Sequence, residues 1–244
     1  MATDVGTIAA TVLVGGGVGA VAGALVHAVA ERLPADREPL GTPICTGCGA
    51  PLGVGALVPF RRRACRACGA PPSWAKLATE VSGAAIVVAA LLLQGMTYRG
   101  VTAALFSLLL LVILRIDWRH HLIYTATIVP GLVVAALAAA IHSPQMLLSA
   151  GVAAVGAGIF FALLFGLAVL IYRQHALGLG DILLAVLIGA MTGVGRVAPA
   201  LFLGMLLAAG GGLLLLALGR RGRRDYIPYG AYLCAGTILV LLFR

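Results

Sequence analysis

Apolar runs of bilayer length recur along almost the whole chain, and this confines it to few folds. Eight can be drawn, at 6–30, 77–95, 100–116, 122–141, 146–172, 182–193, 197–218 and 226–243. About 20 predominantly apolar residues in an α-helix cross the hydrocarbon of a bilayer. The composition agrees: 61% of the 244 residues are hydrophobic and 10% are charged, where a soluble domain carries about 25% charged residues. The expected fold is therefore all-α, a polytopic membrane bundle of about eight transmembrane helices. The sixth run is short, so it is tilted, interfacial or extended into its flanks. The first run exceeds a signal-peptide core and has no basic leader, which makes it a spanning helix. Three regions follow: a first transmembrane helix at 1–30, an extramembrane loop at 31–76 and a helical core at 77–244.

A net charge of +9 invites a nucleic-acid reading, but the placement of the charges argues against one. The odd-numbered connections carry Arg32, Arg37, Arg61, Arg62, Arg63, Arg66, Lys76, Arg115, Arg119, Arg173, Arg220, Arg221, Arg223 and Arg224. The other side has only Arg99, Arg196 and Arg244, fourteen against three. Cytoplasmic loops collect Lys and Arg, so the odd connections are expected in the cytoplasm and both termini outside. Anionic membrane lipid is the nearest partner for that charge, and no nucleic acid is expected.

The loop at 31–76 contains Cys45-Thr46-Gly47-Cys48 and Cys65-Arg66-Ala67-Cys68, sixteen residues apart. Two such pairs fit a four-thiolate zinc site in which each pair forms a knuckle. Gly49 and Gly69 follow the pairs, where the turn needs a permissive backbone. Two disulfides are the alternative, disfavoured on a cytoplasmic loop. Four thiolates leave no open position, so a zinc ion here is structural. The run Arg61-Arg62-Arg63 reads first as a solvated or membrane-surface face, and second as a phosphate-binding one.

Two carboxylates stand at the ends of apolar runs on the same predicted face. Asp117 follows 100–116 in Arg115-Ile116-Asp117-Trp118-Arg119-His120-His121, and Asp181 ends Gly178-Leu179-Gly180-Asp181. A carboxylate beside a membrane segment is costly unless it is interfacial, paired or functional. Asp181 alone is compatible with a helix cap, and Asp117 with an arginine-paired interfacial cluster. Gly178 and Gly180 allow a turn with φ > 0 and close backbone approach. Together the acids allow another chemistry: two carboxyls that share one proton, one activating water and the other protonating the leaving group. Adjacent His120 and His121 point apart on a helix and do not make a metal site. Glu80 is placed in the first turn of the second helix, where it favours the dipole or touches a substrate.

In this order the motifs resemble the type IV prepilin peptidases. Arg32-Leu33-Pro34 resembles that family's first-helix ending, with His27 where asparagine is usual. The four cysteines resemble its cytoplasmic double knuckle, and Glu80 the acidic position after it. Asp117 and Asp181 match its two catalytic aspartates, with Gly178 and Gly180 completing GxGD, and Ile227-Pro228-Tyr229-Gly230 resembles the final-helix motif. Three positions depart: Tyr124 and Thr125 replace a usual proline and polar residue, and Leu183 replaces a usual lysine.

The resemblance implies a multi-pass enzyme of the cell (inner) membrane, with its catalytic side cytoplasmic. It implies an aspartic-type endopeptidase that removes the leader of prepilin or pseudopilin precursors. It also implies N-methylation of the new terminus from S-adenosylmethionine; no glycine-rich nucleotide motif for that donor stands in the chain. Two rivals are a presenilin-like GxGD protease, disfavoured by the cysteine loop and final-helix motif, and a transporter or zinc-bearing assembly protein. Transporters place ionisable groups near the midplane, whereas both acids here fall near one face.

Overall fold

The computed structural model describes residues 5–172, 178–218 and 228–243. All eight apolar runs form α-helices: α1 (Val5–Arg32), α2 (Trp74–Gln94), α3 (Tyr98–His120), α4 (Thr125–His142), α5 (Pro144–Tyr172), α6 (Leu179–Thr192), α7 (Val194–Ala217) and α8 (Tyr229–Leu242). Among the described residues there is no β-strand, only an isolated bridge between Ile44 and Pro51. Six helices, α1–α5 and α7, are long and apolar enough to cross a membrane, whereas α6 and α8 are shorter. At 14 residues each, those two span about 21 Å, against the roughly 30 Å of a bilayer core. The count of eight spans is thus corrected to six long helices and two short ones. The protein is a multi-pass membrane protein. Arg173, Arg220, Arg221, Arg223, Arg224 and Arg244, on which part of the orientation argument rests, lie outside the described residues.

The chain forms two units, 1–116 and 117–244. In the first, α1 packs along α2 at backbone contact, and the sequence shows why. Gly15, Gly19 and Gly23 recur every four residues and so share one face of α1. A Cβ on Gly19 would lie 2.5 Å from the Gly83 carbonyl oxygen, and one on Gly23 would lie 2.6 Å from that of Thr79. Helix α1 ends at Arg32, and Pro34 sits in a short 3-10 turn, Leu33–Ala35, that the α-helix cannot continue through. Arg32 then ties down the loop, donating to the Glu38 carbonyl at 2.6 Å and the Thr42 carbonyl at 2.9 Å.

In the second unit α6 is the central element, packed against α4, α5, α7 and α8. Its Leu184, Ala185, Leu187 and Ile188 are fully buried. The surrounding helices turn apolar side chains outward, Leu163 of α5 at 68% exposure and Leu213 of α7 at 67%. Such exposed apolar surface is untenable in water and natural against lipid. Buried positions, by contrast, include Asp117, Asp181, Thr192 and Thr237. A helix enclosed by others need not itself be long enough to span.

The close contact of α1 with α2 makes a simple test. Gly19→Ala sets a methyl against backbone that cannot step aside, and should cost about 1–3 kcal/mol. Gly17 faces open space, so Gly17→Ala should be neutral or slightly stabilising. Thermal midpoints of the two variants in detergent check this; equal midpoints would contradict the packing.

Candidate active site

Helix α3 runs on through Asp117 to His120. Asp117 therefore lies in its last turn, since Trp118, Arg119 and His120 offer no helix breaker. The side chain is 5% exposed. Its Oδ2 accepts the Ala231 N–H at 2.7 Å, and the Gly230 N–H is a second donor to the carboxylate. Gly230 and Ala231 stand in the first turn of α8, where amides have no partner inside the helix. A helix N-terminus also carries partial positive charge. The Pro228-Tyr229-Gly230 sequence thus aims the start of α8 at Asp117; Ile227 lies outside the described residues. A side chain at Gly230 would put its Cβ 3.1 Å from Asp117 Oδ2 and 3.0 Å from Ile123 Cδ1.

Asp181 is the third residue of α6, not its cap, and Leu179 and Gly180 are already helical. Its Oδ2 accepts the Gly178 N–H at 2.9 Å, and the residue is 8% exposed. The expected positive-φ turn does not occur: Gly178 is extended, with φ −93°. Glycine at 180 is required for another reason, since a Cβ there would fall 2.9 Å from Ile123 Cβ.

Both aspartates belong to the second unit, within electrostatic reach of each other. Tyr229 lies within such reach of Asp181, and buried Cys234 within reach of both. Ile123 packs toward both Gly180 and Gly230, so it sets how closely the two aspartate-bearing turns approach. The sequence carries no sign of that role. Tyr124 caps α4 and Thr125 begins it, while Leu183 is 39% exposed on α6. Both histidines after Asp117 stand at the helix end, with His121 already left-handed at φ 53°.

The four cysteines do converge, although they sit in the other unit. Their sulfurs all lie within 4.8 Å of one another, and among the described residues they form the only His, Cys, Asp or Glu group that can hold a metal. Cys45 Sγ is 3.7 Å from Cys68 Sγ, and Cys48 Sγ is 3.7 Å from Cys65 Sγ. With Zn–S bonds of about 2.3 Å, a tetrahedron has edges of about 3.8 Å, so a zinc ion fits. The two knuckles repeat one geometry. Gly49 N–H donates to the Cys45 carbonyl at 2.8 Å and Gly69 N–H to that of Cys65 at 2.9 Å, each glycine at φ 71°.

The thiols differ in acidity. The Cys68 and Ala67 amides hold Cys65 down to about 7. At Cys48 the Ala50 amide acts downward, but hydrogen bonding to Cys68, desolvation and the other two thiols outweigh it and push the group up to about 12. Four crowded thiols cannot all deprotonate without a cation among them, which is the condition a metal meets.

Glu80 lies in the second turn of α2, since that helix begins at Trp74, and it is 1% exposed. The first-turn dipole reading is therefore corrected. Its carboxylate pairs with Lys76 at 2.6 Å and accepts the Phe60 N–H at 2.9 Å, which fastens the cysteine loop to α2.

Comparison with known proteins gives the same direction. Residues 104–213, which hold both aspartates, match the type IV leader peptidase family. The chain is 30% identical over 205 residues to the prepilin leader peptidase/N-methyltransferase of Bacillus subtilis (strain 168), an alignment covering 82% of this chain and 80% of that protein. No solved structure matches. With both aspartates inside the matched region and the likeness extending over most of both proteins, the chain belongs to the type IV leader peptidase family.

Proposed function

We propose that the protein is an aspartic endopeptidase that cleaves the leader from prepilin-like precursors at the cytoplasmic face of the cell membrane, with Asp117 and Asp181 as its catalytic pair. The observation that carries this reading is the pairing itself. Two buried carboxylates within electrostatic reach are each held by backbone amides at the start of a helix. Amides only donate, so they fix the carboxylates without adding a competing titratable group. Two like charges in such a site share one proton. The ionised member takes a proton from water as the water attacks the scissile carbonyl. The protonated member donates its proton to the carbonyl oxygen. The first member, now carrying the proton from water, gives it to the leaving amine as an O–H of the tetrahedral intermediate returns a proton to the second. A proton is returned at each turnover, and no metal takes part.

Supporting the cytoplasmic assignment is the charge asymmetry, fourteen basic residues against three. The likeness to a relative named as an N-methyltransferase supports methylation of the new N-terminus, with S-adenosylmethionine as donor. Zinc on Cys45, Cys48, Cys65 and Cys68 supplies the binding energy that orders a loop with little apolar core.

The decisive variants are Asp117→Asn and Asp181→Asn, which keep shape and remove the titrating group. Each should reduce cleavage by at least about a thousandfold in purified, folded enzyme, read as the N-terminal mass of a co-expressed prepilin. Substantial cleavage by either variant would refute the pair. Gly230→Ala should lower the catalytic rate by about a hundredfold with little change in substrate affinity, because it displaces Asp117 without removing it.

Cys45→Ser or Cys68→Ser should lose zinc and impair methyl transfer more than cleavage, since both aspartates stand in the unit without the loop. Metal analysis beside substrate mass decides. Equal loss of both activities in a folded, zinc-free variant would contradict that separation.

A further inference from the structure

The arginine run in the cysteine loop takes no part in the peptidase chemistry, and the structure gives it a setting. Residues 61–65 belong to no helix or strand, and their arginines meet different surroundings. Arg62 stacks its guanidinium over the Trp74 ring at 4.0 Å. Arg61 and Arg63 instead line a cavity of about 440 Å³ between the knuckles and the starts and ends of the neighbouring helices, and Arg66 joins them.

No Asp or Glu lines that cavity. Lys76 also borders it, but its charge is met by Glu80 at 2.6 Å. Among the described residues, none of the three arginines has a carboxylate partner. Three positive charges thus converge on one space with no carboxylate to balance them, and the Cys45 and Cys65 sulfurs on its wall, as part of a four-thiolate zinc site, would offset at most two of the three. Ser73, which caps α2 by accepting the Ala75 N–H at 3.2 Å, lies on the same wall and brings the positive end of that helix with it.

We propose that this cavity binds a phosphate-bearing anion of the glycerophosphate class, the chemistry carried by anionic lipid headgroups. Guanidinium forks match phosphate oxygens two at a time. The volume exceeds what a lone ion needs and lies in the range of about 300–1,000 Å³ usual for small-molecule sites. Pro43, Ile44, Leu52 and Pro71 supply apolar wall for the glycerol and the first carbons beyond it.

The test uses the zinc-loaded full chain in neutral detergent, with dihexanoyl phosphatidylglycerol, dihexanoyl phosphatidylcholine and glycerol 3-phosphate as probes in equilibrium binding. Wild type should bind the phosphatidylglycerol saturably, at least tenfold more tightly than the phosphatidylcholine, and more weakly as salt rises. The double variant R61Q/R63Q should weaken it at least tenfold with zinc content unchanged, and R62Q should change it less than twofold. Equally tight binding of glycerol 3-phosphate assigns the site to a soluble phosphate, and binding of the lipid alone assigns it to membrane lipid; both uphold the phosphate site. Equal affinity of wild type for the two lipids, or no binding of either phosphate probe, overturns the proposal even if the double variant fails to fold. An R62Q loss as large as that of R61Q/R63Q also overturns it, because a diffuse basic surface would then account for the binding.

Discussion

The amides that open α8 hold the carboxylate of Asp117, and the arrangement of the second unit depends on that contact. A charge buried among apolar helices is stable only with strong local donors. Side-chain cations would neutralise the acid. Helix-start amides stabilise it while leaving it free to exchange a proton. The same solution appears at Asp181, where the donor is the Gly178 amide at the start of α6.

The two helices that supply those amides are the two short ones. A helix that must begin beside a buried acid cannot also begin wherever its apolar run would otherwise start. Both short helices are compensated by enclosure, α6 by four neighbours and α8 by its packing on α7 and α6. Gly204 and Gly236 bring α7 and α8 to backbone contact. Glycine at 180 and 230 then admits Ile123 between the aspartate-bearing turns. Larger residues would push the turns apart.

Much of this was legible in the residues. Bilayer-length apolar runs announce helices whatever their tertiary partners, and all eight formed. The cysteine spacing with its following glycines specifies two knuckles locally, so the sulfurs meet as expected. What failed depended on where helices begin and end. Glu80, expected in a first turn, lies in the second, buried against Lys76 and Phe60. Hydropathy follows the apolar stretch, whereas the hydrogen-bond ladder continues through polar residues until something breaks it. Sequence does not choose between the two uses of glycine open at Gly178 and Gly180, conformational freedom and lack of a side chain, and at Gly180 the structure uses the second. Ile123 carried no signal, since an isoleucine between two apolar runs is unremarkable until the turns it separates are known.

The central claim is that two carboxyls in this site share one proton during peptide cleavage. The most direct measurement is the pH dependence of kcat/KM for leader cleavage by the purified enzyme. One ionised and one protonated acid predict a bell with two apparent ionisations that belong to the pair. A rate that follows a single ionisation, or none, across the range in which the enzyme stays folded would contradict the account.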